Sequence, residues 1–327
     1  MAIFNQSTKS RTRSRHPMDG RRRGSTCEDS RPSSAILKAI RVPKPSSLFS
    51  GGQGEEEVER RMESSLSDET LFGTALVTLY VMCPLTVLSL RFLAAPYGRH
   101  ARSGWGPALP AALAWALMES PTLWLTLLLL PRGRHRSHPL ALTILALYLL
   151  HYIHRTVVYP LRLSIKSKSK SGFPLVIALV AFSFNLLNAY LQARSASHYA
   201  EYPAASSAFA FGLWVWLRVL VGMGIFFWGM SVNIRSDLAL LRLKAEGGGY
   251  RIPRGGWFEW VSCPNYMGEA AEWLGWAVVA CSPAALAFFL YTCSNLVPRA
   301  RAHHQWYLEK FGEDYPRSRK AVVPFVY

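Results

Sequence analysis

The sequence predicts an all-α integral membrane protein, a bundle of seven membrane-crossing helices with functional loops on the side where the chain ends. Three observations lead there. The 327 residues are 50% hydrophobic yet carry a formal net charge of +17, a pairing that soluble domains rarely show. The apolar residues lie in runs near the twenty or so that cross about 30 Å of hydrocarbon. The lysines and arginines lie between those runs, and mostly on one side of the bundle.

Residues 1–61 stand apart from the rest. Arg21-Arg22-Arg23, many serines and the acidic Glu55-Glu56-Glu57 come without a sustained hydrophobic period. Such a stretch buries too little apolar surface to offset its ordering entropy, so disorder is expected. It has no signal-peptide core. It reads as a basic extension, an organelle leader or residues that the native protein lacks, with Met62 as the start of the folded part.

Six apolar runs follow, at 70–94, 106–131, 139–161, 173–192, 207–232 and 266–297. The last is too long for one crossing and contains Ser282-Pro283, where proline must break the hydrogen-bond ladder, so it is split to give seven spans. With seven, the loops after spans 1, 3 and 5 share a side with the C-terminus. Those segments hold Arg99 and Arg102; Arg162, Lys166, Lys168 and Lys170; Arg235, Arg242, Lys244, Arg251 and Arg254; and Arg299, Arg301, Lys310, Arg317, Arg319 and Lys320. From Met62 on, the opposite side has only Arg132, Arg134, Arg136 and Arg194. The asymmetry puts the C-terminus in the cytosol.

Several readings are disfavoured by what the chain lacks. Its basic charge comes with no nucleic-acid-binding motif. The cysteines at 27, 83, 263, 281 and 293 form no C-x-x-C pair and read as small hydrophobes, not a disulfide frame or a metal site. There is no P-loop, G-x-S-x-G or H-E-x-x-H, and Gly222-Met-Gly224 lies inside a span rather than after a strand. A nucleotide cofactor would therefore not sit in a Rossmann fold.

Polar residues inside spans are costly and mark candidate sites. Glu119 interrupts the second run, and His151-Tyr152-Ile153-His154-Arg155 closes the third. Asn185, Asn188 and Gln192 share one face of the fourth. Arg218 lies in the fifth, and Glu269 and Glu272 open the sixth. Asn185 and Arg218 are read as ties between helices. Glu119 and the histidine–tyrosine–arginine cluster are read as functional, because a carboxylate, a phenol and a guanidinium together exceed what helix association needs.

Four ordered stretches near the C-terminus carry a resemblance: Tyr250-Arg-Ile-Pro-Arg-Gly-Gly256-Trp-Phe-Glu, Pro264-Asn265-Tyr-Met-Gly-Glu269, His303-His304-Gln-Trp-Tyr307 and Glu313-Asp-Tyr-Pro-Arg-Ser-Arg-Lys320, with the closing Pro324-Phe-Val-Tyr327. They resemble the C-terminal domain of the steroid 5α-reductases, and the likeness extends upstream to cover 62–327. Ala95-Pro-Tyr-Gly, Gly104-Trp-Gly-Pro and Tyr291-Thr-Cys-Ser-Asn-Leu resemble the plant branch, which acts in brassinosteroid synthesis.

The resemblance implies a seven-helix domain over 62–327 in the endoplasmic reticulum membrane, with 173–327 as the NADPH-binding part. A steroid would enter from the bilayer among membrane lipids, and no obligate protein partner is evident. It further implies that Glu119 and Tyr152 hydrogen-bond the steroid C3 carbonyl, with Trp115 lining the pocket. Arg155, Asn233, Asp237, Lys244, Tyr250, Arg251, Asn265, Glu269, His303 and Tyr307 match NADPH-holding positions, though Lys244 stands where the family has arginine. The loop after span 3 is also longer and richer in lysine and serine.

The implied chemistry places negative charge on the C3 oxygen as hydride reaches the conjugated C=C bond. A donor aimed at that oxygen in a dry site favours the transition state over the ground state. Tyr152 is the natural donor, with Glu119 orienting it or supplying a proton. Three alternatives stay open: a trans-2-enoyl-CoA reductase sharing much of the C-terminal domain, a membrane methyltransferase of similar architecture, and a non-catalytic lipid-binding or scaffold protein.

Overall fold

The computed structural model describes residues 52–327 apart from 103, 167–171, 203–208 and 248. The chain divides into units Met1–Glu56 and Glu57–Tyr327. Of the first, only Gly52–Glu56 are described, as the opening of helix α1 (Gly52–Phe92). The expected disorder over 1–61 thus gives way to helix from Gly52, in a stretch rich in glutamate and arginine, which lose little rotamer freedom in a helix. The remainder of the extension lies outside the described residues.

The larger unit is helical almost throughout. After α1 come α2 (Ala111–Glu119), α3 (Pro121–Leu129), α4 (Pro139–Ile153), α5 (Tyr159–Lys166), α6 (Leu175–Arg194), α7 (Phe209–Ala245), α8 (Pro264–Ala280) and α9 (Pro283–Phe311). Two three-residue strands, β1 (Ala108–Pro110) and β2 (Gly172–Pro174), pair antiparallel and tie two loops together. Among the described residues, five stretches are long and apolar enough to cross a membrane: Ser67–Phe92, Ala111–Arg132, Pro139–Ile165, Leu175–Tyr199 and Gly212–Ala245. Their outward faces carry exposed leucines, valines and tryptophans, as lipid-facing helices do. Helix α8 has 17 residues and includes Glu269 and Glu272, and only the first half of α9 is apolar.

Local chemistry explains the breaks. Pro121 has no N–H to donate, so the second run divides at Ser120; Ser120 Oγ donates to the Leu117 carbonyl (2.9 Å) and Thr122 Oγ1 to that of Glu119 (2.5 Å). The expected break at Ser282-Pro283 is present. Cys281 turns the chain at φ 48°, and the Ser282 side chain caps α9 by accepting from the Ala285 N–H (3.2 Å).

Helices α7 and α8 lie closest. Gly222 and Gly229 on one face Gly275 and Gly268 on the other, each pair seven residues apart. A Cβ built at Gly229 would meet the Glu272 N at 2.4 Å, and one at Gly275 would meet the Phe226 N at 2.4 Å. Only glycine permits that approach. The buried core behind it is aromatic: Trp273 packs on Phe288 (4.5 Å between centroids), Tyr148 on Trp276 (5.6 Å), and the Trp276 indole donates to the Ile144 carbonyl (2.8 Å). Arg218 donates to the carbonyls of Val278 and Val279 (2.7 and 2.9 Å), the structural tie its position suggested.

Helix α1 is held by charge where its apolar stretch begins. Asp68 accepts from Arg194 Nη2 (2.5 Å), Tyr190 (3.0 Å) and Tyr199. Asp68→Ala leaves a buried guanidinium without its partner and is expected to lower stability by about 1–3 kcal/mol. A fall of several degrees in the melting temperature of the detergent-solubilised protein would register it; an unchanged midpoint would mean that α1 is held by other contacts.

Candidate active site

Glu119 stands at the C-terminal residue of α2, next to the proline break, where backbone leaves the regular ladder at membrane depth. Such irregular backbone is tolerated only where it lines a cavity or is buried in protein. One turn earlier on the same face is Trp115. Across from them α4 brings Tyr152 and then, through a π turn at His154–Val158, Arg155. A π turn inside a helix often marks a functional site. The Arg155 guanidinium lies over the Trp115 ring (4.6 Å) and the Tyr159 ring (5.2 Å). Two helix faces thus meet, one carrying Trp115 and Glu119 and the other Tyr152 and Arg155.

Helix α6 holds both polar groups. Asn185 Nδ2 donates to Glu119 Oε2 (3.1 Å) and to the Met118 carbonyl (2.6 Å). Asn188, three residues on and on the same face, donates to the hydroxyls of Tyr148 (3.1 Å) and Tyr152 (3.4 Å). Gln192 Nε2 donates to Asn188 Oδ1 (3.0 Å) and to the Ala284 carbonyl (3.0 Å), fixing which way the Asn188 amide faces. Tyr152 also shares a hydrogen bond with the neighbouring Tyr148 hydroxyl, so Asn188 and the two phenols form one polar group.

Arg155 also reaches a polar cluster between α7 and α8. It donates to Asp237 Oδ2 (3.2 Å) and lies 3.9 Å from Glu269 Oε2. Asn265 Nδ2 donates to Asp237 Oδ1 (3.0 Å), and Asn233 Nδ2 donates to the Asn265 carbonyl (3.0 Å) and Glu269 Oε2 (3.3 Å). The glycine contacts between α7 and α8 set this spacing: a Cβ at Gly268 would come within 2.5 Å of the Asn233 N.

A third group lies where α9 leaves its apolar half. Arg99 Nη2 donates to the Tyr307 hydroxyl (3.1 Å), and its guanidinium lies over the rings of Tyr307 (4.4 Å), Trp306 (4.9 Å) and Tyr250 (5.8 Å). Its Nη1 is buried without a partner. His303 shares hydrogen bonds with His100 (3.1 Å) and Tyr266 (3.2 Å), and Arg299 donates to the Tyr266 hydroxyl (2.9 Å). Burial, with Arg99 and Arg299 nearby, holds the His100 imidazole below its ordinary pKa and hence neutral at pH 7.

The structure therefore brings Glu119, Trp115, Tyr152 and Arg155 together, joins Asn233, Asp237, Asn265 and Glu269 to them through Arg155, and gathers Tyr250, His303 and Tyr307 around Arg99. Two expected residues lie apart from these groups. Arg251 pairs with Glu246 (2.8 Å) with both side chains about half exposed, and Lys244 is exposed on the last turn of α7.

Sequence reasoning treated Asn185 as a tie between helices, and it is also a Glu119 ligand. Arg99, His100, Tyr266 and Arg299 were not singled out for the site. The signal for Arg99 was only its place in a basic loop; partners at residues 250 and 306–307 are too distant in sequence to suggest themselves. The buried pair of His151 Nδ1 and Glu272 Oε1 (2.8 Å), both noticed as polar residues in spans, was equally beyond reach as a pair.

Comparison with known proteins adds a common theme. A family model described as 3-oxo-5-alpha-steroid 4-dehydrogenase matches residues 171–327. The chain is 57% identical over 265 residues to the steroid 5-alpha-reductase DET2 of Arabidopsis thaliana, covering 80% of this chain and 99% of the relative. It is 55% identical over 262 residues to the DET2 protein of Gossypium hirsutum, again 80% and 99%. The 3-oxo-5-alpha-steroid 4-dehydrogenase 1 of Bos taurus is 40% identical over 259 residues, covering 76% of this chain and 95% of the relative.

Proposed function

This chain belongs to the steroid 5α-reductase (3-oxo-5-alpha-steroid 4-dehydrogenase) family of oxidoreductases acting on CH–CH groups, and we propose that it reduces the Δ4 double bond of a 3-oxo-Δ4-steroid to the 5α-steroid with NADPH. The identity to plant relatives and the plant-branch stretches in its loops favour a role in brassinosteroid synthesis. The observation that carries the reading is that Glu119 and Tyr152 are held by two asparagines on one face of α6, beside the Trp115–Arg155 stack. A carboxyl and a phenol converging at membrane depth suit a single carbonyl oxygen on an otherwise apolar ligand.

The residues present also fit the cofactor. An unpartnered, buried guanidinium nitrogen on Arg99 suits an anionic group, and the Tyr250, Trp306 and Tyr307 rings around it suit a flat heterocycle. Arg155, Asn233, Asp237, Asn265 and Glu269 would hold the polar remainder, with His303 and Tyr307 beside Arg99. When bound, the nicotinamide supplies the hydride.

The chain does the rest. Tyr152 would turn its O–H hydrogen from Tyr148 to the C3 oxygen, where charge accumulates as C5 takes the hydride, and Asn188 keeps the phenol in place; the enolate then takes a proton at C4 from water to complete the reduction. Glu119, steadied by Asn185, shares that oxygen. Arg155 is held in place by Asp237 and Glu269 and fixes where the polar cofactor groups end relative to Trp115 and the steroid.

In this reading α8 and the first half of α9 join the five long apolar helices to make seven crossings. The basic loops and C-terminus then face the cytosol from the endoplasmic reticulum membrane, where the steroid is drawn from the bilayer. Membranes from cells expressing the full chain, supplied with NADPH and a 3-oxo-Δ4 sterol, are expected to form the 5α product detected by mass spectrometry. Consumption of a trans-2-enoyl-CoA with no turnover of any 3-oxo-Δ4 steroid would move the activity to thioester reduction.

A further inference from the structure

The apolar outer face of α7 ends abruptly. Leu213, Trp214, Leu217, Leu220 and Val221 are exposed, Trp228 is the last large apolar side chain to face outward, and the polar Arg235, Arg242 and Lys244 follow. Trp228 therefore marks an edge of the apolar belt, the depth at which tryptophan collects. The chain leaves α7 at Ala245, 17 residues further on, or about 25 Å beyond that edge at 1.5 Å per residue. It then comes back. Trp257, on the 3₁₀ turn Gly256–Glu259, packs edge-on against Trp228 with centroids 5.7 Å apart.

The C-terminal tail is brought to the same place. Val261 pairs with Lys320, the Lys320 N–H donates to the Trp260 carbonyl (3.0 Å), and the Phe325 ring lies against Trp260 at 5.1 Å. Phe325 has φ 64°, a conformation that a bulky residue seldom adopts, and its turn is closed by the N–H groups of Val322 and Val323 donating to the Tyr327 carbonyl (2.8 and 2.7 Å). The turn leaves Phe325 and Val326 each 76% exposed, beside half-exposed Trp260. Arg251 and Arg254, both exposed, lead into this segment. A contiguous exposed apolar patch flanked by basic residues marks an interaction surface.

We propose that Trp257, Trp260 and the tail residues Phe325 and Val326 form a second membrane contact, seated in the phospholipid headgroup region at the level of Trp228. The folded-back loop thereby tethers the C-terminal loops to the bilayer surface, with Arg251 and Arg254 meeting lipid phosphates. The inference rests on α7 crossing the membrane and not on the reaction catalysed.

The test uses the full chain in nanodiscs of phosphatidylcholine with or without bromine near the headgroup end of the acyl chains. The fluorescence contributed by one tryptophan is the difference between wild type and its Trp→Phe variant. Brominated lipid is expected to reduce the Trp260 contribution by about twofold or more, as for an interfacial indole. In a Phe325→Asp background, aqueous iodide should reach Trp260 instead. The Trp214 contribution, from the outward face of α7, serves as the reference. If bromine quenches Trp214 but not Trp260, the patch is not in lipid; self-association on concentration would then assign it to a second copy of the chain. If neither is quenched, the membrane-crossing assignment of α7 fails together with the proposal. Quenching of Trp260 that is unchanged by Phe325→Asp would remove the tail from the contact.

Discussion

Tyr152→Phe is expected to lower turnover of a 3-oxo-Δ4 steroid by about 10²–10³-fold, the usual effect of removing one donor from a developing oxyanion. The substitution removes one oxygen from a buried ring that packs on Tyr148 (4.7 Å) and Trp273 (5.7 Å), so the ring packing survives. Asn188 keeps its second acceptor in Tyr148. The loss should therefore fall on kcat, with cofactor affinity unchanged. Glu119→Gln keeps the shape and an acceptor for Asn185 but removes the ionisable carboxyl; a comparable fall would make the two a working pair. Product formed at the wild-type rate by both variants would leave the family assignment intact and discard the catalytic roles given to them. A rise in KM alone would make them binding groups that act equally on ground and transition states.

Gly268→Leu is expected to have the largest effect on folding. Even its Cβ would fall 2.5 Å from the Asn233 N and 2.6 Å from the Gly229 carbonyl oxygen, and neither is a flexible side-chain tip. The helices must separate, at a cost of about 3 kcal/mol or more, the upper end for overpacking a close contact. Separation also pulls Asn233 from Asn265 and Glu269, so whatever protein survives should lose cofactor affinity. The measurement is the yield of monodisperse solubilised protein and its melting temperature. Gly224→Ala on α7 is the control: its Cβ meets nothing within 4 Å, so helix propensity alone predicts stabilisation of up to about 1 kcal/mol. Equal behaviour of the two variants would mean that α7 and α8 are not packed through their glycines.

Runs and breakers were legible because they are local properties. Pro121 and Pro283 cut helices wherever the chain goes, although only the second cut was anticipated, since the second run was short enough to pass as one piece. The polar residues of the site were legible because membrane depth makes them conspicuous. Their pairing was not. Asn185 and Glu119 are 66 residues apart, Arg99 and Tyr307 are 208 apart, and nothing short of the packed bundle says which meets which. The helical register of Asn185, Asn188 and Gln192 did suggest a shared face, and that face contacts both Glu119 and Tyr152. The glycines at 222, 229, 268 and 275 carried a readable seven-residue period that attracted no notice, because small residues in apolar runs look like filler until a partner helix arrives.

The polar row along α6 makes that helix a common ruler for two groups that come from different parts of the chain. A sideways drift or slight roll of α6 carries the carboxyl of α2 and the phenol of α4 in the same direction, so their mutual spacing is buffered against breathing of the bundle. The polar cluster of Asn233, Asp237, Asn265 and Glu269 is referenced to a separate frame, the glycine-packed pair α7 and α8. The two frames are joined by Arg155, stacked on Trp115 and clasped by Asp237, and by two links between α4 and α8, His151 to Glu272 and the Trp276 indole to the Ile144 carbonyl. Substitutions on the lipid-facing surfaces of either frame would reach the chemistry through those few contacts.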